Sequence, residues 1–338
     1  MAFPKVPASG VWCPAVTMFN PDTDRLDPVA QAKYYKYLSQ NGLAGLVILG
    51  TNAETFLLTR EERKELLAIA RAACGPDFPL MAGVGGHSTR QVLEFISDAA
   101  EAGANYVLVL PPAYFGKATT PAVIDSFFAD VAAASTLPIV VYNFPAVCNG
   151  IDLDSPTIAG LAKRHDNIVG VKLTCGSVAK ITRLAAEFQP GEFAIYGGQS
   201  DFLLGGLAVG SSGCIAAFAN VFPLAVSCVY KLYENGGVER ALEAQREVAL
   251  AEQSCKSGIA AVKYAASVYS AKYASIEDAE PLMRPRRPYL PLSEEAKDKI
   301  EEGITRLAVY ELNNFELTNS SINLKAAGLV AGGGLKFA

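Results

Sequence analysis

Lys172 stands inside an otherwise apolar run, I-V-G-V-K-L-T over residues 168–174. The valines, isoleucine, leucine, glycine and threonine around it suit a buried parallel strand. An ammonium is expensive to bury without a partner. A lysine pointing inward from such a strand is therefore either well paired or largely neutral, since burial favours the uncharged amine. A neutral amine is what Schiff-base chemistry on a ketone requires. The competing reading is a strand-end lysine that snorkels to water. Two other stretches carry groups that would complete the chemistry. G-T-N-A-E (50–54) can present the backbone N–H groups of Thr51 and Asn52, with the Thr51 hydroxyl, to a carboxylate. V-Y-N-F-P (141–145) offers the Tyr142 phenol as a proton shuttle beside an amine. Amine, phenol, hydroxyl and anion hole together suit a 2-oxo acid held as an imine. Each piece alone has a plainer meaning: a turn with Thr and Asn is commonly only a turn, and a strand tyrosine is commonly core.

The elements that must position these groups are regular. Strand-like segments at 10–19, 43–50, 79–85, 106–110, 138–142, 168–174, 193–198 and 213–218 alternate with helix-like ones at 28–40, 59–73, 88–102, 121–134, 155–164, 177–188, 201–209 and 222–234. T-R-E-E opens the second helix as a capping box, with Glu62 three residues after Thr59. Near-continuous apolar strands mean a sheet covered on both faces. Eight βα units at this length point to an α/β fold, a (β/α)8 TIM barrel over residues 10–236, with its chemistry at the C-terminal strand ends. A doubly wound open sheet is the runner-up, but P-A-V-T-M-F-N offers no glycine-rich phosphate turn after strand one. From residue 237 to 310 the period changes to three helical stretches (238–256, 258–273, 293–310). They are joined in part by a basic loop, M-R-P-R-R-P-Y-L-P (283–291), read as solvated, with a phosphate site as the alternative. Residues 311–338 read as a loosely attached tail, disordered from 332.

Composition narrows the function classes. A net charge of −5 without a basic run argues against nucleic-acid binding. Seven cysteines, an odd number without any C-x-x-C, read as reduced thiols. Together with M-A-F-P-K-V-P-A-S-G, which lacks an apolar signal core and an Arg-rich presequence, they lead us to expect a cytoplasmic protein. Only two histidines, His87 and His165, exclude a His-rich metal site. No apolar run is long enough, at about 18 residues, to span a membrane.

G-T-N-A-E followed by L-T-R-E-E-R, then Y-N-F-P, then G-V-K-L-T, in this order and spacing, resemble the dihydrodipicolinate synthase / N-acetylneuraminate lyase superfamily of class I, pyruvate-dependent aldolases. The resemblance covers about residues 10–310. It implies a barrel with a C-terminal helical cap, assembled as a homodimer or homotetramer, with no metal or organic cofactor and a small 2-oxo acid as substrate. Lys172 then resembles the Schiff-base lysine and Tyr142 the phenol that transfers protons. Thr51 resembles the relay hydroxyl, with Asn52 its neighbour at the pyruvate carboxylate. Tyr114 resembles the tyrosine that reaches a neighbouring subunit's site in tetrameric relatives. Ile215 resembles the strand-eight residue whose backbone faces bound pyruvate.

Two departures matter. Ala53 stands where glycine is usual in the carboxylate turn. After Y-N-F-P the chain reads A-V-C-N-G (146–150), without the arginine that grips the second carboxylate in synthases making dihydrodipicolinate. That leaves small polar groups, Asn149, Thr174 and Ser200, suited to hydroxyls. The chain resembles fungal members that cleave 2-keto-3-deoxy sugar acids, such as L-threo-3-deoxy-hexulosonate, or 4-hydroxy-2-oxoglutarate. Three alternatives stay open. Dihydrodipicolinate synthesis would lack its arginine. A divalent-metal barrel would have only Asp201 and Glu54 as strand-end acids. The third is a catalytically silent barrel that binds 2-oxo acids. Glu54 is read as structural, accepting backbone N–H bonds after its turn.

Overall fold

In the computed structural model, which describes residues 5–189 and 191–315, eight parallel strands close into a barrel in sequence order. They are β1 (Gly10–Pro14), β2 (Gly45–Ile48), β3 (Leu80–Gly83), β4 (Tyr106–Val109), β5 (Ile139–Asn143), β6 (Ile168–Leu173), β7 (Ala194–Gly197) and β8 (Gly213–Ile215). The helices between and after them are α1 (Pro28–Ser39), α2 (Arg60–Cys74), α3 (Thr89–Glu101), α4 (Pro121–Ala134), α5 (Ser155–Arg164), α6 (Val178–Glu187), α7 (Leu203–Leu207) and α8 (Pro223–Glu234). The capping box forms as read: the Thr59 hydroxyl accepts from Glu62 N, and the Glu62 carboxylate accepts from Thr59 N at 2.9 Å.

β1 and β8 are shorter than the apolar runs that contain them. Beyond Pro14 the backbone leaves the ladder because buried side-chain amides take its hydrogen bonds. Val16 N donates to Asn220 Oδ1 at 3.0 Å and Met18 N to Gln31 Oε1 at 2.7 Å. Hydrophobicity alone cannot distinguish a strand from a buried loop satisfied in this way.

The barrel interior is packed, not hollow. Trp12 lies against Gly45, where a Cβ would come within 2.3 Å of its ring. Tyr106 and Tyr196 meet Trp12 edge-on at 6.0 and 6.4 Å. Between β5 and β6 the register shifts at Ile139/Val140. Such a bulge re-aims the side chains that follow it. The result pairs Tyr142 with Lys172, while Val171 and Leu173 pack into the outer core among the helices.

Beyond the barrel run α9 (Val238–Ser254), α10 (Ile259–Val268), α11 (Ser270–Tyr273), α12 (Ala279–Leu282) and α13 (Glu294–Phe315). The expected helix over 258–273 is broken at Tyr269, whose ring packs at a tilt against Phe222, with centroids 4.1 Å apart. α13 continues past the expected stop at residue 310. Glu311 is buried, accepting from Ala225 N at 2.9 Å and from the Tyr269 hydroxyl. The chain is thus anchored where a loose tail was expected to begin, and the rest of that expectation, including disorder from 332, lies outside the described residues. The basic loop is not simply solvated either: Arg286 holds both carboxylate oxygens of Glu62, at 2.5 and 2.7 Å.

Candidate active site

A cavity of about 740 Å³ opens at the C-terminal ends of the strands. Lys172 lies at its base, 1 % exposed, with Nζ 4.2 Å from the centroid of the Tyr142 ring. The inward direction follows from the strand itself, since both neighbours of Lys172 are claimed by the helical layer. Among the described residues no carboxylate comes within ion-pairing distance of Lys172; the nearby titratable groups include Cys13 and Cys214, whose thiols burial holds well above the usual range. The amine is therefore buried, unpaired by acids and open to the cavity. Snorkelling to water is excluded by its burial.

The Tyr142 hydroxyl lies 3.4 Å from Thr51 Oγ1. Thr51 begins a single helical turn, Thr51–Ala53, that follows β2, and Asn52 lines the cavity beside it. The first N–H groups of such a turn have no intrahelical acceptor. Ala53 fits this turn. It is buried in ordinary helical geometry, and the left-handed position is taken by Glu54 at φ 57°. Glu54 accepts a backbone N–H from Arg286 at 2.7 Å, as a structural role requires, and also the ammonium of Lys263 at 2.7 Å. Lys263 is fully buried; desolvation lowers its pKa, and Glu54 offsets part of that.

Not every expected site residue reaches the cavity. Thr174 lines it, and its Oγ1 is buried with no hydrogen-bond partner among the described residues. Asn149 does not: at φ 51° it turns away and donates to Ala113 O, tying two loops together. Ser200 is fully buried behind the wall, its hydroxyl spent on Glu252 Oε2 at 2.5 Å. The Ile215 side chain packs in the barrel interior without lining the cavity. Tyr114 is 72 % exposed and separated from its own chain's cavity by His87, tilted against it at 5.7 Å, and Phe56, stacked on His87 at 5.4 Å. Among the described residues no group of three His, Cys, Asp or Glu is placed to hold a metal ion.

The last turn of α9 and the joint after it supply residues the sequence reading did not find: Glu252, Cys255 and Lys256 line the cavity with Gln199 from the end of β7. Burial pushes the Glu252 carboxyl up to about 7 and the Cys255 thiol up to about 12. Lys256 pairs with Asp201 and lies 3.4 Å from Gln199 Oε1. A signal for Glu252 existed: Gln245 and Glu252, seven residues apart, fall on the otherwise apolar buried stripe of α9.

The dihydrodipicolinate synthetase family model matches residues 7–307. The chain belongs to that family. A Coccidioides immitis protein with the provisional name 4-hydroxy-2-oxoglutarate aldolase, mitochondrial, is 65 % identical over 91 % of this chain and 98 % of its own. An Emericella nidulans protein with the same provisional name is 39 % identical over 89 % and 96 %. The L-threo-3-deoxy-hexylosonate aldolase of Hypocrea jecorina is 36 % identical over 90 % and 97 %. Among solved structures, a dihydrodipicolinate synthase family protein from Coccidioides immitis superposes with TM-score 0.86 at 61 % identity, covering 91 % of this chain and 98 % of that one. A prophage protein of the family from E. coli K12, in complex with pyruvate, gives 0.80 at 27 % identity, covering 89 % and 98 %. The chain is a carbon–carbon lyase of the class I aldolase type. The cytoplasmic location expected from the thiols and the opening residues is overturned, because both 4-hydroxy-2-oxoglutarate aldolase relatives carry a mitochondrial location in their names. Buried thiols are silent about compartment, as they need no reducing environment to stay apart.

Proposed function

We propose that this family member cleaves a 2-keto-3-deoxy sugar acid, such as L-threo-3-deoxy-hexulosonate, to pyruvate and an aldehyde, with Lys172 as the Schiff-base nucleophile. The observation that carries this reading is the buried, acid-free amine beside the Tyr142 ring, with the phenol in reach of Thr51. The substrate carboxylate sits on the Thr51 and Asn52 amides. The Lys172 amine adds to the C2 ketone and water leaves, giving a protonated imine. Tyr142 takes the C4 hydroxyl proton as its own phenolic proton passes to Thr51 and that of Thr51 to solvent. The C3–C4 bonding pair flows into the imine to give an enamine as the aldehyde departs. Protonation at C3 and hydrolysis release pyruvate and restore the amine. Tyr114, exposed on its own chain, is assigned to a neighbouring subunit's site in a homodimer or homotetramer. A mitochondrial location is extended to this chain from the two relatives named so.

A second reading, cleavage of 4-hydroxy-2-oxoglutarate to pyruvate and glyoxylate, is favoured by the names of those same relatives. Incubation with pyruvate and borohydride tests the common mechanism. We expect a reduced adduct on Lys172, seen by peptide mass spectrometry, and none on Lys172→Ala. An equal adduct on the variant removes Lys172 from the scheme. Absence of turnover on both substrates, with pyruvate still bound, would instead favour a silent binding barrel.

A further inference from the structure

The cavity wall made by α9 and the end of β7 is not used by the imine chemistry. Its charges are unevenly matched. Among the described residues, Lys172 and Lys256 are the only cations lining the cavity. Lys172 is consumed by the imine, and Lys256 is already engaged by Asp201 and Gln199. Among the described residues no arginine lines the cavity. A second substrate carboxylate would therefore meet no uncommitted cation there. It would meet Glu252, which is 5 % exposed and held by the Ser200 hydroxyl on Oε2. The other oxygen of Glu252, Oε1, has only a 3.4 Å approach from Ser200 N, so it keeps acceptor capacity.

We propose that Glu252, oriented by Ser200 and flanked by the Lys256–Asp201 pair, forms the subsite for the aldehyde half of the substrate, accepting hydrogen bonds from its hydroxyls and rejecting a second carboxylate. This rests on the aldolase reading above and selects the polyhydroxy substrate over the dicarboxylate. A buried carboxyl group with spare acceptor capacity gains from a hydroxyl donor, whereas a second substrate carboxylate would lose its hydration there without gaining a cation. Groups lost from such a hydrogen-bonding subsite discriminate strongly between substrates that fill it and those that do not. Ser200 is here a positioning residue: it touches Glu252, not the substrate.

The test is pyruvate release from L-threo-3-deoxy-hexulosonate and from 4-hydroxy-2-oxoglutarate by wild type, Glu252→Gln and Ser200→Ala, with borohydride trapping of pyruvate on each. We expect wild type to favour the hexulosonate. Glu252→Gln should lower kcat/KM for it by about 10- to 100-fold while leaving 4-hydroxy-2-oxoglutarate unchanged or improved, with trapping intact. Ser200→Ala should shift the preference in the same direction by less, and it carries the test if Glu252→Gln does not fold. A wild type that prefers 4-hydroxy-2-oxoglutarate, or variants that lose both substrates equally while trapping pyruvate normally, would overturn the subsite. Failure of wild type to trap pyruvate at all would instead remove the aldolase reading on which it rests.

Discussion

Replacing Lys263 with methionine should damage both the stability of the barrel and its grip on pyruvate. The Lys263 ammonium lies 2.7 Å from Glu54 Oε1, with side-chain exposures of 0 and 3 % for the two partners. Methionine keeps much of the volume and removes the charge. The Glu54 carboxylate is then left in a dry site with the Arg286 N–H on its other oxygen. Breaking a buried pair from one side costs roughly 3–5 kcal/mol. Removing both charges, as in Glu54→Gln/Lys263→Met, should recover all but about 1–2 kcal/mol, because the cost lies in the stranded charge and not in the lost attraction. Glu54 also closes the turn that carries Thr51 and Asn52, at a left-handed φ of 57° that a non-glycine residue holds only under constraint. KM should therefore rise in the single variant while the borohydride adduct on Lys172 still forms at saturating pyruvate. Urea unfolding of wild type, both single variants (Lys263→Met and Glu54→Gln) and the double variant at one pH gives the coupling, and steady-state turnover gives the KM. A single variant within about 1 kcal/mol of wild type would refute the reasoning, as would a double variant no better than the single.

Two further outcomes follow from the same geometry. Tyr142→Phe keeps the ring that packs against Lys172 and removes the hydroxyl facing Thr51, so kcat should fall by about 10²–10⁴ with adduct formation retained; unchanged turnover would take Tyr142 out of the proton path. Burial holds Glu311 up to about 7 in the folded protein, against an ordinary value of 4.5. The folded state thus keeps a proton that the unfolded chain releases, so this group favours folding as pH falls and withdraws that support as pH rises through 7. Between pH 8 and pH 6 it adds about 1 kcal/mol of stability, and Glu311→Gln should remove that share of the pH dependence in urea unfolding; an undiminished slope would show that the group does not titrate there.

The barrel could be read because its signals are local. Apolar runs, the Thr59–Glu62 box and the prolines after β4 each act within a few residues of themselves. Lys172 could be read for a related reason: a cation inside an apolar strand has few places to go, and the register shift between β5 and β6 sends it inward beside Tyr142. Asn149 and Ser200 were misplaced because small polar residues near a strand end carry no signal of direction. One ties a loop to Ala113 O, and the other is spent on Glu252. Lys263 had the kind of signal that exposed Lys172, a lone lysine in I-A-A-V-K-Y-A-A, but periodicity does not show what a helix after the barrel packs against.

That gap explains why the C-terminal helices matter more to the chemistry than their strand-free pattern suggests. α10 places Lys263 under the turn at the end of β2, where a carboxylate would bind. The last turn of α9 places Glu252 against the end of β7, where the aldehyde half would lie. The two helices are joined by only a few residues, 255–258, and these also line the cavity. Any shift of this corner would therefore move the carboxylate turn and the distal wall together. The barrel strands fix the amine and the phenol, and the corner fixes how far from them the two ends of a substrate can reach. Substrate length and polarity can consequently change through substitutions in α9 and α10 without disturbing the Lys172–Tyr142 pair, which gives one physical reason why relatives sharing this fold can carry the names of aldolases with different substrates.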